Sequence, residues 1–272
     1  MTHKVLNLKD YFPQLQGGVL TLYLPYNMSE MRREKQLRPT ILLLPGGAYR
    51  FCSQREGEPI ALHLLPEGYN VLVLEYSVAP ARFPEQMLQV AAAMELIYRN
   101  SGEWNCDPEK VAVMGFSAGG HLAAMYSTQY DCAEVRQMFP ESKGANASIL
   151  CYPVITANSS FTHAGSMLNL LGHVPDAEEV ERFSNEKHVT AKTPQTFLWH
   201  TFTDETVAVK NTLVYAQALE EQGVPFELHI YPKGNHGLAT ADKHTCDEVT
   251  SDIQHVSQWL DSLKKWLKEY LA

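Results

Sequence analysis

Residues 113–120 include a GxSxG pattern, Gly115 to Gly119, that closes the apolar run VAVMGF and opens the helical run HLAAMYSTQY. A serine held between a strand and a helix in this way occupies a nucleophile elbow, a tight turn that lifts the hydroxyl above the sheet. Such a turn strains the serine backbone and brings strand and helix almost into contact, so it needs small neighbours. Gly115, Gly119 and Gly120 supply them around Ser117. A bare GxSxG also fits an ordinary turn, but the strand before it and the helix after it favour the elbow.

A serine hydroxyl is a weak nucleophile until a histidine takes its proton and a carboxylate orients that histidine. Asp204 lies just past the apolar run TFLWH, in the loop HTFTDETV, with Val207 expected to begin the next helix. Its plain alternative is a helix cap, and Glu205 is the fallback acid. His236 follows the run FELHIYP in the loop KGNHGL, where flanking glycines leave its ring free to reach a neighbouring strand end. Of the 11 histidines, His229 lies inside a strand pattern, and His244 and His255 fall in or after a polar stretch, so His236 fits the base best. The chemistry this order allows is acyl transfer through a covalent serine intermediate.

Acyl transfer also needs N–H donors for the developing oxyanion, and an early glycine-containing loop after a strand provides one position for them. That loop is LLLPGGAYRF, and the donor candidates are Gly47, Ala48 and, after the serine, Ala118. Whether Gly47 or Ala48 donates is left open at this level. Tyr49 and Phe51 are candidates to line a substrate pocket, with packing beneath the loop as the alternative.

The elements that must position these groups follow from the alternation of short apolar runs with amphipathic stretches, the rhythm of an α/β sheet flanked by helices. Val19 to Leu24 alternates outward and inward residues, and buried-strand patterns follow at Thr40 to Leu44, Asn70 to Leu74, Val111 to Phe116, Ala147 to Cys151, Thr196 to His200 and Pro225 to Tyr231. Helical spacing marks 85–100 and 207–222, and Ile253, Val256, Leu260, Leu263 and Leu267 make a stripe along a C-terminal helix, read as core packing. The stretch from about Ile155 to Lys192 breaks the rhythm, and it reads as an insertion forming a cap over the carboxyl ends of the strands. One domain over residues 1–272 is the expectation.

With 22 basic and 31 acidic residues the formal charge is −9 and no basic run stands out, which argues against nucleic acid or an anionic membrane as partner. No apolar stretch approaches the roughly 18 residues that span a bilayer. The N-terminus lacks a basic start followed by an apolar stretch, so the reading is cytoplasmic. The five cysteines show no metal or disulfide spacing and read as reduced structural thiols. No metal or organic cofactor is required by the chemistry, and oligomeric state is not legible.

The blocks LLLPGGAYRF, VLEYSVAPARFPEQ, VAVMGFSAGGHLAA, ASILCYPVI, HVTAKTPQTFLWHTFTDETV and FELHIYPKGNHGL extend from about residue 40 to 240. Together they resemble α/β-hydrolase esterases of the kind grouped with acetylxylan esterases, feruloyl-esterase-like proteins and other bacterial carbohydrate esterases. The resemblance implies the α/β-hydrolase fold, a mostly parallel sheet with helices on both faces, and a triad at Ser117, Asp204 and His236. It also implies a small-molecule ester substrate with a short acyl group, acetyl above all, on a carbohydrate such as an acetylated oligosaccharide. The family's oxyanion loop often begins His-Gly-Gly-Gly, whereas Pro45 and Ala48 stand at its first and last places here. His121 resembles a recurrent position on the nucleophile helix and is read as structural. Two rival readings are a peptidase like the catalytic domain of prolyl oligopeptidases and a non-catalytic binder on the same fold. The first is disfavoured by the roughly 110 residues before Gly115, too few for a large gating domain; the second by the presence of all three triad candidates.

Overall fold

A computed structural model describes residues 1–271. Among the described residues, eight strands form one sheet in the order β1-β2-β4-β3-β5-β6-β7-β8. They are β1 (Thr2–Asn7), β2 (Val19–Leu24), β3 (Arg38–Leu44), β4 (Asn70–Glu75), β5 (Cys106–Phe116), β6 (Ala147–Cys151), β7 (Gln195–Thr201) and β8 (Phe226–Tyr231). β2 runs antiparallel to both β1 and β4, while the pairings from β4 through β8 are all parallel.

Alternation along the strands divides the core in two. Leu42, Leu44, Leu72, Leu74, Val111, Val113, Leu150 and Leu198 pack on one face, and Ile41, Leu43, Val71, Ala112, Met114, Phe116, Ile149 and Trp199 on the other. Strands buried on both faces need helices over each, which is why these segments read as continuous apolar runs. The helices are α1 (Leu8–Tyr11), α2 (Glu58–Leu64), α3 (Glu85–Arg99), α4 (Ser117–Gln129), α5 (Ala133–Met138), α6 (Ala164–Leu171), α7 (Ala177–Phe183), α8 (Lys210–Glu221), α9 (Ser251–Val256) and α10 (Gln258–Tyr270). Residues of α3, α4 and α8 join the first face, and residues of α2 and α10 the second, where Trp259 stacks on Trp199 at 4.9 Å.

This is the α/β-hydrolase arrangement expected from the sequence, with differences in detail, among them a β5 that begins five residues before the expected Val111. β1 is an added edge strand whose burial alternates too little to be seen as one, since only Leu6 is buried. The C-terminal stripe belongs to two helices broken at Ser257, with Val256, Leu260, Leu263 and Leu267 buried as core. The helix expected from Val207 begins at Lys210, because residues 204–207 are held in a side-chain turn described below. No helix among the described residues is long and apolar enough to cross a membrane.

The connection order reverses at the middle of the sheet: β3 is followed by β4 on one side, and β5 then pairs with β3 on the other. Loops leaving the carboxyl ends of two such strands diverge and open a crevice, the usual place for a ligand in this type of sheet. β3 ends at Leu44, before the Gly46–Gly47 loop, and β5 ends at Phe116, before Ser117. Between β6 and β7, α6 and α7 occupy the stretch read as an insertion.

Candidate active site

Ser117 begins α4 with φ +53, a left-handed conformation costly to any residue with a Cβ. The closeness that the glycines permit is measurable. A Cβ on Gly115 would lie 2.1 Å from the Gly119 carbonyl oxygen, and one on Gly119 would lie 2.2 Å from that of Leu44. The elbow is therefore pressed between β5 and the end of β3, with Ser117 only 7% exposed.

His236 Nε2 lies 2.7 Å from Ser117 Oγ, and its Nδ1 lies 2.6 Å from Asp204 Oδ2. An ionised Asp204 accepts the Nδ1 hydrogen, which leaves the Nε2 lone pair to accept the serine O–H. The other aspartate oxygen, Oδ1, accepts the N–H groups of Thr206 and Val207, each at 2.9 Å. The two roles weighed for Asp204 thus fall on different atoms of one carboxylate, although the cap closes a turn and not the α8 terminus, where Val209 is the cap residue. Glu205, the fallback acid, is exposed.

A second histidine, not anticipated, approaches the same carboxylate. His200, buried on β7, places Nε2 2.9 Å from the Val207 carbonyl and 3.2 Å from Asp204 Oδ2, while its Nδ1 meets Thr212 Oγ1 at 2.7 Å. Because a carbonyl only accepts, the hydrogen sits on Nε2 and is directed toward Val207 and Asp204 together. Burial acts to raise the Asp204 pKa, but the bonds from His200, His236 and Val207 N–H prevail and hold the carboxyl well below the usual range.

The loop after β3 turns through Gly47 at φ +121, Ala48 at +56 and Tyr49 at +55. A Cβ on Gly47 would meet the Phe51 carbonyl oxygen at 2.1 Å, so glycine is required there, whereas the Ala48 angle admits a side chain at some strain. The Gly46 N–H is taken by Glu56 Oε2 at 2.8 Å, and those of Arg50 and Phe51 return to Gly47 O. Among the described residues, Gly47 and Ala48 N–H donate to no protein acceptor, and both residues border the cleft over Ser117. Ala118 lies in the first turn of α4, where N–H groups have no intrahelical partner.

Phe51 is 51% exposed and lines the cleft. Tyr49 does not, and its expected place in the pocket is corrected: it is fully buried, with its hydroxyl 2.9 Å from His121 Nδ1. The loop's successive left-handed residues rotate it inward. His121 Nε2 lies 2.9 Å from the Phe183 carbonyl, so it donates there and its Nδ1 accepts from Tyr49. Burial lowers the His121 pKa to about 4, which keeps the ring neutral and agrees with its structural reading.

The cleft has a volume of about 330 Å³. Besides Ser117 and His236 its walls include Phe51, Arg55, Glu56, and His163, Gly165 and Asn169 from the stretch between β6 and β7. His163 caps α6, its Nδ1 lying 2.8 Å from Ser166 Oγ, and burial followed by the nearby His236 lowers its pKa. His163, Asn169, Arg55 and Glu56 escaped the sequence reading: Asn169 lies on the short helix α6 that His163 caps, inside the stretch read only as an insertion, and Arg55 and Glu56 belong to no spaced motif.

A family model described as BD-FAE matches residues 20–219. Over 228 residues, 81% of the chain, the sequence is 34% identical to endo-1,4-beta-xylanase B of Butyrivibrio fibrisolvens, covering 35% of that protein. It is 29% identical over 237 residues to an acetylxylan esterase of Xylanibacter ruminicola, 85% of the chain against 46% of the relative. The chain thus spans between a third and a half of these curated relatives. The crystal structure of an acetyl ester-xyloside bifunctional hydrolase from Caldicellulosiruptor lactoaceticus superposes with a TM-score of 0.84 at 35% identity, covering 98% of this chain and 96% of that one.

Proposed function

We propose, for a chain that belongs to the BD-FAE family, that it is a serine esterase removing short acyl groups, acetyl foremost, from carbohydrate esters. The observation that carries this reading is the continuous hydrogen-bond line from Ser117 through His236 to Asp204 at the floor of a cleft. His236 takes the serine proton as Oγ attacks the ester carbonyl, and Asp204 stabilises the imidazolium that forms. The oxyanion is held by Ala118 N–H and by an N–H of Gly47 or Ala48, donors free of protein acceptors in the loop. The same histidine protonates the departing alcohol, then activates the water that releases the acid from the acyl-enzyme.

The cleft, about 330 Å³ and walled in part by Phe51 and the insertion, admits a small ester, and the acetyl preference rests on the names of the similar proteins. The sugar preference rests on the names of the similar proteins, an acetylxylan esterase and an acetyl ester-xyloside hydrolase. In this reading residues 1–272 act as one domain, and the stretch near 155–192 is a short cap whose His163 and Asn169 shape the substrate side of the site.

The test is a hydrolysis panel: aryl esters from acetyl to long acyl chains, acetylated xylo-oligosaccharides, a feruloyl ester and aminoacyl aryl amides. Fastest turnover on acetyl esters, with acetate released from the oligosaccharides, is expected. A preference for long acyl chains sinks the carbohydrate-ester reading, and cleavage of the amides alone would favour a peptidase.

A further inference from the structure

Glu56 is a carboxyl group 2% exposed, bordering the cleft, and no Lys, Arg or His is paired with it among the described residues. An interior carboxyl without a counter-charge is expensive unless its oxygens are bonded. Both are: Oε2 accepts the Gly46 N–H at 2.8 Å and Oε1 accepts the Tyr152 O–H at 2.7 Å. The Tyr152 oxygen in turn accepts the Ala239 N–H at 3.0 Å, so its own hydrogen is committed to Glu56. One line of bonds therefore runs from the residue before Gly47 to the segment just after His236.

Tyr152 follows β6 and packs against the base and against the residue before the nucleophile. Its ring centre lies 5.0 Å from that of His236 at 70°, 4.8 Å from Trp199 on β7 and 5.7 Å from Phe116, the residue before the serine. It holds φ +36, a conformation a bulky residue keeps only where its surroundings enforce it. Gly46 lets the carboxyl come close to the nucleophile: a Cβ there would lie 2.8 Å from Glu56 Oε2 and 2.9 Å from Ser117 Cβ.

We propose that Glu56 and Tyr152 are a pair of positioning residues that fixes the oxyanion loop and His236 in one mutual geometry. Neither is part of the triad or the oxyanion hole, and the inference rests on the esterase reading above. A transition state that needs the oxyanion donors and the imidazole aligned at once loses rate when either drifts, while ground-state binding of a small ester is spared.

The experiment measures kcat and KM on an aryl acetate, with thermal melting, for the full chain, Ser117→Ala, Glu56→Gln, Tyr152→Phe and the double variant. Gln offers one acceptor where two donors need one, and Phe keeps the ring while removing the hydroxyl. In folded variants kcat falls about 10- to 100-fold with KM within about threefold, and the double variant loses no more than about the worse single one. The pair is refuted by kcat within about twofold of the unaltered chain, by a loss confined to KM, or by losses that multiply in the double variant. Should Glu56→Gln unfold, Tyr152→Phe decides by the same criteria. An unaltered chain without turnover that Ser117→Ala abolishes overturns the esterase reading and this one with it; an active chain with unaffected variants overturns the positioning role alone.

Discussion

Asp204 meets His236 through Oδ2 at 2.6 Å while its Oδ1 closes the turn onto Thr206 and Val207. That division makes Asp204→Asn informative. The amide keeps an oxygen for the turn, so the loop survives, but it presents N–H where the carboxylate accepted from Nδ1 and reverses the imidazole tautomer. kcat on an aryl acetate is expected to drop by about 10³- to 10⁴-fold in a protein that still folds but melts at a lower temperature, because the amide N–H also faces the buried His200 Nε2–H. A drop smaller than about tenfold in folded protein would reduce Asp204 to a turn residue.

The backbone at Ser117 separates strain from chemistry. Both Ser117→Ala and Ser117→Gly remove the nucleophile and should lower turnover at least about 10³-fold. Only glycine relieves the left-handed φ of +53. Ser117→Gly should accordingly be about 1 kcal/mol more stable than Ser117→Ala, or about 2 °C in melting temperature for a chain of this size. Equal stability of the two would mean that the elbow stores no strain.

Much of this architecture was readable because its parts obey local rules. Val19–Leu24 and Ala147–Cys151 match the strands residue for residue, the first because its outward and inward residues alternate, the second because burial on both faces writes an apolar run. Ser117 was readable because sterics demand glycines around it. The unread parts depend on contacts distant in sequence. Glu56 sits in the polar stretch QREGEP, and only Gly46 and a tyrosine 96 residues away make it an interior group. Tyr49 and Phe51 face opposite ways because of three successive positive φ values, and a loop carries no periodicity to announce that. His200 reads as one more strand residue until β7 brings it under Asp204.

Close approach at the elbow predicts a contrast between two glycines. Gly115→Ala drives a Cβ to 2.1 Å from the Gly119 backbone oxygen and 2.8 Å from Ala123 Cβ, in a region with nowhere to yield. A loss of about 3 kcal/mol or more is expected. Gly102→Ala meets nothing within 4 Å and should stay within about 0.5 kcal/mol of the parent. Urea melts decide it: comparable stabilities would mean that β5 and α4 can separate at little cost.

His121 gives stability a pH dependence of definite sign. Its ring is fully buried between Tyr49 and the Phe183 carbonyl, and burial depresses its pKa from 6.5 to about 4. A second ring proton would land on Nδ1, where Tyr49 already donates. Between those two values the unfolded chain binds a proton that the folded chain refuses, so stability rises with pH across that window. The contribution is complete above 6.5 and is lost as pH falls toward 4, with a ceiling of about 3 kcal/mol or some 6 °C. His121→Gln removes the titrating group at the cost of some packing. Its melting temperature, lower at pH 7, should then fall less steeply between pH 6.5 and 4 than that of the parent. Parallel slopes for the two proteins would show that His121 does not carry this part of the acid sensitivity.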